Sequence, residues 1–122
     1  MADFLLPSDV SEIVDRLGER GRGLAGQTVL LSGGCGFLGR YFVAVFEQLN
    51  RRVLKQPCTV VVLDNFITAG KEGEAFEGSE HIRLTRYDAT QPFTYDGPID
   101  YIIQAAGIAS PYYYRAYPLE TL

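Results

Sequence analysis

The stretch Ser32-Gly33-Gly34-Cys35-Gly36-Phe37-Leu38-Gly39 places glycines at 33, 36 and 39, a G-x-x-G-x-x-G spacing, between two apolar segments of different period. Before it, Thr28-Val29-Leu30-Leu31-Ser32 is a short β-branched and aliphatic run that predicts a strand buried on both faces. After it, Leu38, Tyr41, Phe42, Val45, Phe46 and Leu49 recur at helical spacing, and Asn50 reads as the C-terminal stop of that helix. The chain thus runs strand, glycine turn, helix.

Further on, Thr59-Val60-Val61-Val62-Leu63 is too short and too β-branched for a helix and ends at Asp64, so it predicts a second, parallel strand that completes a βαβ unit. Residues Ala69 to Glu80, rich in Gly and Glu, read as a surface loop. His81 to Leu84 predicts a third strand and Tyr101 to Ala105 a fourth. Right-handed crossovers from a central first strand give the order third, second, first, fourth. The expected fold class is α/β: a Rossmann-like parallel sheet with helices on both faces, incomplete at its C-terminal side. Towards the N-terminus, Val10, Ile13, Val14 and Leu17 form the apolar stripe of an amphipathic helix that starts at Ser8 and ends at Gly18. Gly18 to Gly26, glycine-rich among charges, suits a flexible connection. The expected organisation is an N-terminal helical extension and linker over 1–26 and a dinucleotide-binding Rossmann domain over 27–122.

The whole chain is consistent with one such domain. Its 122 residues leave no room for a second catalytic domain, and 47% hydrophobic against 21% charged residues describes a chain able to build a core. The net charge of −4 provides no basic field for phosphate backbones, so nucleic acid is not an expected partner. Cys35 and Cys58 stand in neither a metal spacing nor a disulfide framework, and His81 is the only histidine. No metal site is expected. Met1 to Pro7 lacks a basic segment followed by an apolar run, and no stretch approaches the ~20 apolar residues of a membrane span. A soluble, cytoplasmic protein with no membrane partner is the expectation.

The glycine loop carries the chemistry. A pyrophosphate needs backbone N–H groups at close range, which a Cβ obstructs, and a helix N-terminus adds a favourable dipole. Gly33 would allow the tight turn, Gly36 the close approach of the pyrophosphate, and Gly39 the packing of helix on strand. No Gly-Lys-Ser/Thr closes the loop; Arg40 follows instead, which argues against a nucleoside triphosphatase. Asp64, 25 residues after Gly39, stands where such folds place the carboxylate that accepts from the adenosine ribose hydroxyls. A 2′-phosphate there would be repelled, and Asn65 follows where an arginine could have offset that charge. This favours NAD over NADP. Asp88 could accept from the adenine amino group, though taken alone it is equally a turn or N-cap aspartate. Ala105, Ala106 and Gly107 end the fourth strand with small side chains that would let a cofactor lie across the sheet edge; a small-residue packing contact is the other reading.

Together these residues resemble the extended short-chain dehydrogenase/reductase family, the NAD-dependent epimerases and dehydratases of nucleotide sugars. The resemblance covers about Thr28 to Leu122. Asp64 to Lys71 is similar to the family's cofactor-binding strand end, and Ala109-Ser110-Pro111 to a stretch of the UDP-glucuronate decarboxylase branch. The resemblance implies that Phe37 and Leu38 approach the pyrophosphate through their backbone, that Asp64, Asn65, Phe66 and Thr68 surround the adenosine, and that Asp88 and Ala89 bracket the adenine. Tyr114 falls where that branch touches its sugar substrate. Tyr112 and Glu120 depart from the branch, which commonly has proline and lysine there. A larger departure is the absence of the family's catalytic Tyr-x-x-x-Lys: the only lysines are Lys55 and Lys71, preceded four residues earlier by Arg51 and Ile67. No catalytic residue is assigned within the chain. The family's acid/base tyrosine and its lysine partner being absent, hydride transfer by this chain alone is not expected.

Two functions compete at this point. One is the NAD-binding portion of a nucleotide-sugar epimerase, dehydratase or decarboxylase, inactive alone and part of a longer parent enzyme. The other is a stand-alone, non-catalytic dinucleotide-binding module or gene remnant. A third reading, a plain interaction domain, rests on the aromatic cluster Tyr112 to Tyr117. A homo-oligomer is possible, but the later helices through which family members dimerise are not in this sequence.

Overall fold

In the computed structural model, residues 5–34, 36–64, 79–87 and 91–105 are described. Helix α1 (Pro7–Leu17) leads into a 3₁₀ helix (Gly18–Leu24), followed by β1 (Thr28–Ser32), α2 (Phe37–Arg52), β2 (Thr59–Asp64), β3 (Ile82–Arg86) and β4 (Tyr101–Gln104). The four strands form one sheet in the order β3-β2-β1-β4, and every pairing is parallel. This is the order expected from right-handed crossovers, and the fold is the Rossmann-like α/β class.

The register explains the core. Val29 and Leu31 pair with Val60 and Val62, so these four side chains share one face of the sheet. All four are almost wholly buried, in one cluster with Val43, Phe46 and Leu49 of α2 and with Ile82 of β3. Val61 and Leu63, which alternate to the opposite face, are buried as well, as expected for a central parallel strand.

Several local readings change, among them the fourth strand, which ends at Gln104, one residue before Ala105, and α1, which starts at Pro7, one residue before Ser8. Residues 18–24 form a 3₁₀ helix where the glycines suggest a loose connection; Gly21 is buried there, and a Cβ on it would meet Leu49 at 3.1 Å. The third strand begins at Ile82, one residue late, because His81 is still in the turn. Asn50 does not stop α2, which runs on to Arg52. Its side chain leaves the helix instead: Asn50 Nδ2 donates to the Cys58 carbonyl at 2.9 Å, and the Cys58 N–H donates to Asn50 Oδ1 at 2.8 Å.

Helix α1 joins the same core through Val10 and Val14. It lies alongside α2 and runs in the same direction, since Asp9 reaches Tyr41 near the start of α2 while Asp15 pairs with Arg52 at its end. No described helix is long and apolar enough to cross a membrane.

Cys58 is fully buried, and burial, with the Asp100 carboxylate adding to it, pushes its thiol up to about 11 from an ordinary value near 9. A group whose folded value is raised contributes stability that is complete below its unfolded value and lost as pH climbs through the folded one. Between pH 9 and 11, ionisation of Cys58 should therefore cost the fold roughly 2 kcal/mol. Urea unfolding at pH 8 and pH 10.5 checks this. The wild type should lose more stability over that interval than Cys58→Ala, whereas equal losses would remove Cys58 from the alkaline limb.

Candidate dinucleotide site

Parallel pairing brings the carboxyl ends of β1, β2 and β4 to one edge. There Gly33 N–H donates to the Leu63 carbonyl at 2.7 Å, Ala105 N–H to the Ser32 carbonyl at 2.9 Å, and Ser32 Oγ to Gln104 Oε1 at 2.5 Å. The chain then turns at Gly33, whose φ of +79° lies in the left-handed region that glycine enters without strain. Gly36 N–H closes the turn on the Gly33 carbonyl at 3.2 Å, and Gly36 is the N-cap of α2. The first helical bond runs from Arg40 N–H to the Gly36 carbonyl at 3.0 Å, so the helical ladder provides no acceptor for the N–H groups of Leu38 and Gly39. The first turn of a 16-residue helix thus opens at the sheet edge with its dipole positive there.

The glycines differ in what demands them. A Cβ on Gly39 would lie 2.1 Å from the Gly33 carbonyl oxygen and 2.6 Å from Gly34 Cα, so α2 could not rest on the turn. A Cβ on Gly34 would lie 2.1 Å from Val62 Cγ1. At Gly36 the backbone is ordinary (φ −78°), and a Cβ would meet only the Gly33 oxygen, at 3.4 Å, a normal contact. Packing within the described protein accounts for Gly34 and Gly39 but not for Gly36.

Phe37 and Leu38 open α2 with side chains largely exposed, 58% and 64%, while Gly39 and Arg40 are buried. Asp64 ends β2, half-buried, and its carbonyl accepts from Tyr87 N–H at 2.8 Å. Ala105 follows β4 at the same edge, half-buried. The structure therefore brings Gly33, Gly36, Phe37, Leu38, Gly39, Asp64 and Ala105 to the carboxyl edge of the sheet. Asn65, Phe66, Thr68, Asp88, Ala89, Ala106, Gly107 and Tyr114 lie outside the described residues.

Three residues at this edge escape the sequence reading. The demand on Gly34 comes from Val62 on another strand. Gln104 meets Ser32 only through the β1–β4 register. Arg86 is set opposite Asp64 by the β2–β3 register, which puts a cation next to the candidate ribose carboxylate on the same face. Among the described residues, no group of three or more His, Cys, Asp or Glu side chains could hold a metal ion.

The NAD dependent epimerase/dehydratase family matches residues 29–122, from the second residue of β1 onward. The chain belongs to this family. Among curated relatives of this epimerase/dehydratase chain, UDP-glucuronic acid decarboxylase 3 of Arabidopsis thaliana is 33% identical over 95 residues, which cover 77% of the chain and 25% of the relative. UDP-glucuronic acid decarboxylase 2 of the same plant is 32% identical over 98 residues, covering 80% of the chain and 20% of the relative. The epimerase/dehydratase chain thus spans about a quarter or less of the length of these relatives.

Proposed function

We propose that the chain binds NAD, with the pyrophosphate on the loop from Gly33 to Gly39 and the adenosine ribose on Asp64. It would be the dinucleotide-binding portion of a nucleotide-sugar epimerase, dehydratase or decarboxylase. Gly36 carries this reading: among the described residues no backbone strain and no contact accounts for a glycine there, whereas a phosphate approaching the first turn of α2 would. Family membership and the similarity to UDP-glucuronic acid decarboxylases support the substrate class.

When bound, NAD would supply a hydride acceptor at its nicotinamide ring. The chain's own part is to hold and orient it. Phe37 and Leu38 would approach the pyrophosphate through their backbone, Gly39 would add its N–H, Ala105 would keep the sheet edge low, and Asp64 would accept from the ribose hydroxyls. Asp88 and Ala89 at the adenine, Asn65, Phe66 and Thr68 around the adenosine, Ala106 and Gly107 at the sheet edge and Tyr114 at the sugar complete the proposed set. With no Tyr-x-x-x-Lys in its sequence, the chain has no such pair to move the sugar hydroxyl's proton, so we expect it to bind without turning over in a cytoplasmic setting.

The test is a titration with NAD and NADP, run with a UDP-glucuronate turnover assay. Gly36→Ala should change stability by no more than about 1 kcal/mol, because loss of a better N-cap is offset by a stiffer unfolded chain. It should weaken NAD on the order of tenfold, about 1.4 kcal/mol. Asp64→Ser with Asn65→Arg should shift preference towards NADP, aided by Arg86. Unchanged NAD affinity in Gly36→Ala would remove the loop from the site, and turnover by the chain would show that its catalytic residues lie elsewhere.

A further inference from the structure

We propose that α1 is a positioning element for the phosphate-binding turn and acts through Tyr41; this rests on the dinucleotide reading above. Helix α1 precedes the segment that matches the family, which begins at residue 29, so nothing in the match assigns it a role.

Tyr41 connects three things. Its hydroxyl accepts from the Leu6 N–H at 3.2 Å and donates to the Asp9 carboxylate at 3.3 Å, which joins it to the N-cap and first turn of α1. Its ring packs edge-to-face on Phe37, with centroids 5.7 Å apart and planes at 63°. Phe37 is the first residue of α2, directly after the Gly36 N-cap, and sits one helical turn before Tyr41 on the same face. Behind this contact, α1 is fixed by Val10 and Val14, which are 3% and 4% exposed. The turn that would receive the pyrophosphate is therefore held from two sides: by the sheet through Gly33, and by α1 through Tyr41 and Phe37.

A site of backbone N–H groups depends on being held in place before its ligand arrives, and small displacements cost binding. Helix α1 provides that restraint at the N-terminal end of α2. At the far end α1 is linked by the Asp15–Arg52 bridge, 3.7 Å long and exposed, which lies at the opposite end of α2 from the turn. This asymmetry separates positioning from general stabilisation.

The experiment measures binding of NAD, ADP and adenosine to the full chain and to Tyr41→Phe, Asp9→Ala and Asp15→Ala, at a temperature where thermal melts show all four folded. Tyr41→Phe keeps the ring on Phe37 and removes both hydrogen bonds. It and Asp9→Ala should weaken NAD and ADP by about 3- to 10-fold, the effect of one or two hydrogen bonds, and leave adenosine, which has no phosphate, unchanged. Asp15→Ala should bind all three ligands as the wild type does. Equal affinities in wild type, Tyr41→Phe and Asp9→Ala would overturn the proposal. So would a parallel loss for adenosine, or an equal loss in Asp15→Ala, since either would make α1 a stabiliser only. A wild type that binds neither NAD nor ADP would instead overturn the dinucleotide reading itself, and this inference with it.

Discussion

Replacing Gly39 by alanine is expected to cost the fold more than about 3 kcal/mol, at or beyond the usual upper range for overpacking a well-fitted site. The new Cβ would lie 2.1 Å from the Gly33 carbonyl oxygen and 2.6 Å from Gly34 Cα, and both are backbone atoms that no rotamer change can move. Relief requires either lifting the start of α2 from the sheet or opening the turn. Lifting α2 would loosen Val43, Phe46 and Leu49 from Val29, Leu31, Val60 and Val62; opening the turn would break the Gly36-to-Gly33 hydrogen bond. A domain of this size has only about 5–15 kcal/mol in hand, so a large part of the stability is at stake. Urea unfolding of wild type, Gly39→Ala and Gly36→Ala measures it. The two alanines introduce the same methyl group three residues apart, yet only Gly39→Ala should move the midpoint far. Similar midpoints for Gly39→Ala and wild type would mean that α2 does not sit on the turn as described.

That contrast also marks how far the sequence alone could be read. The strand order and the glycine turn were legible because both depend on local signals: β-branched runs of strand length, a helical apolar period, and a fixed glycine spacing between them. Gly33 and Gly39 belong to that spacing. Gly34 does not, because its demand is set by Val62 on the neighbouring strand, which only the β1–β2 register brings near. The pairing of Asp64 with Arg86 and of Ser32 with Gln104 is likewise a product of register. Tyr41 looked like one more residue on an apolar helix face. Its hydroxyl acquires partners only because α1 folds back alongside α2, and no periodicity within α2 announces a helix 30 residues earlier in the chain.

Asn50 makes the same point and leads to the second large effect. An asparagine after a helical run is a reasonable helix stop, because its short amide can bond locally and tolerates the left-handed conformation. Here the amide has a better use. It takes both the N–H and the carbonyl of Cys58, at 2.8 and 2.9 Å, so the last turn of α2 is fastened to the residue that precedes β2. Cys58 is wholly buried, so water cannot readily replace those bonds. Asn50→Ala should therefore strand a donor and an acceptor at about 1–3 kcal/mol each, for a loss on the order of 2–4 kcal/mol, since some relaxation is available to the second group once the first is freed. Asn50→Asp discriminates this from a simple change in helix propensity. Aspartate can still accept from the Cys58 N–H but offers nothing to the carbonyl and places a negative charge beside it, so only part of the stability should return at best. Leucine at the same position has the better helix propensity and makes neither bond. Unfolding midpoints should rank wild type first, aspartate at or above alanine, and leucine no better than alanine. Leucine equal to the wild type would show that the amide clip contributes nothing and that α2 needs only a helix former at its end.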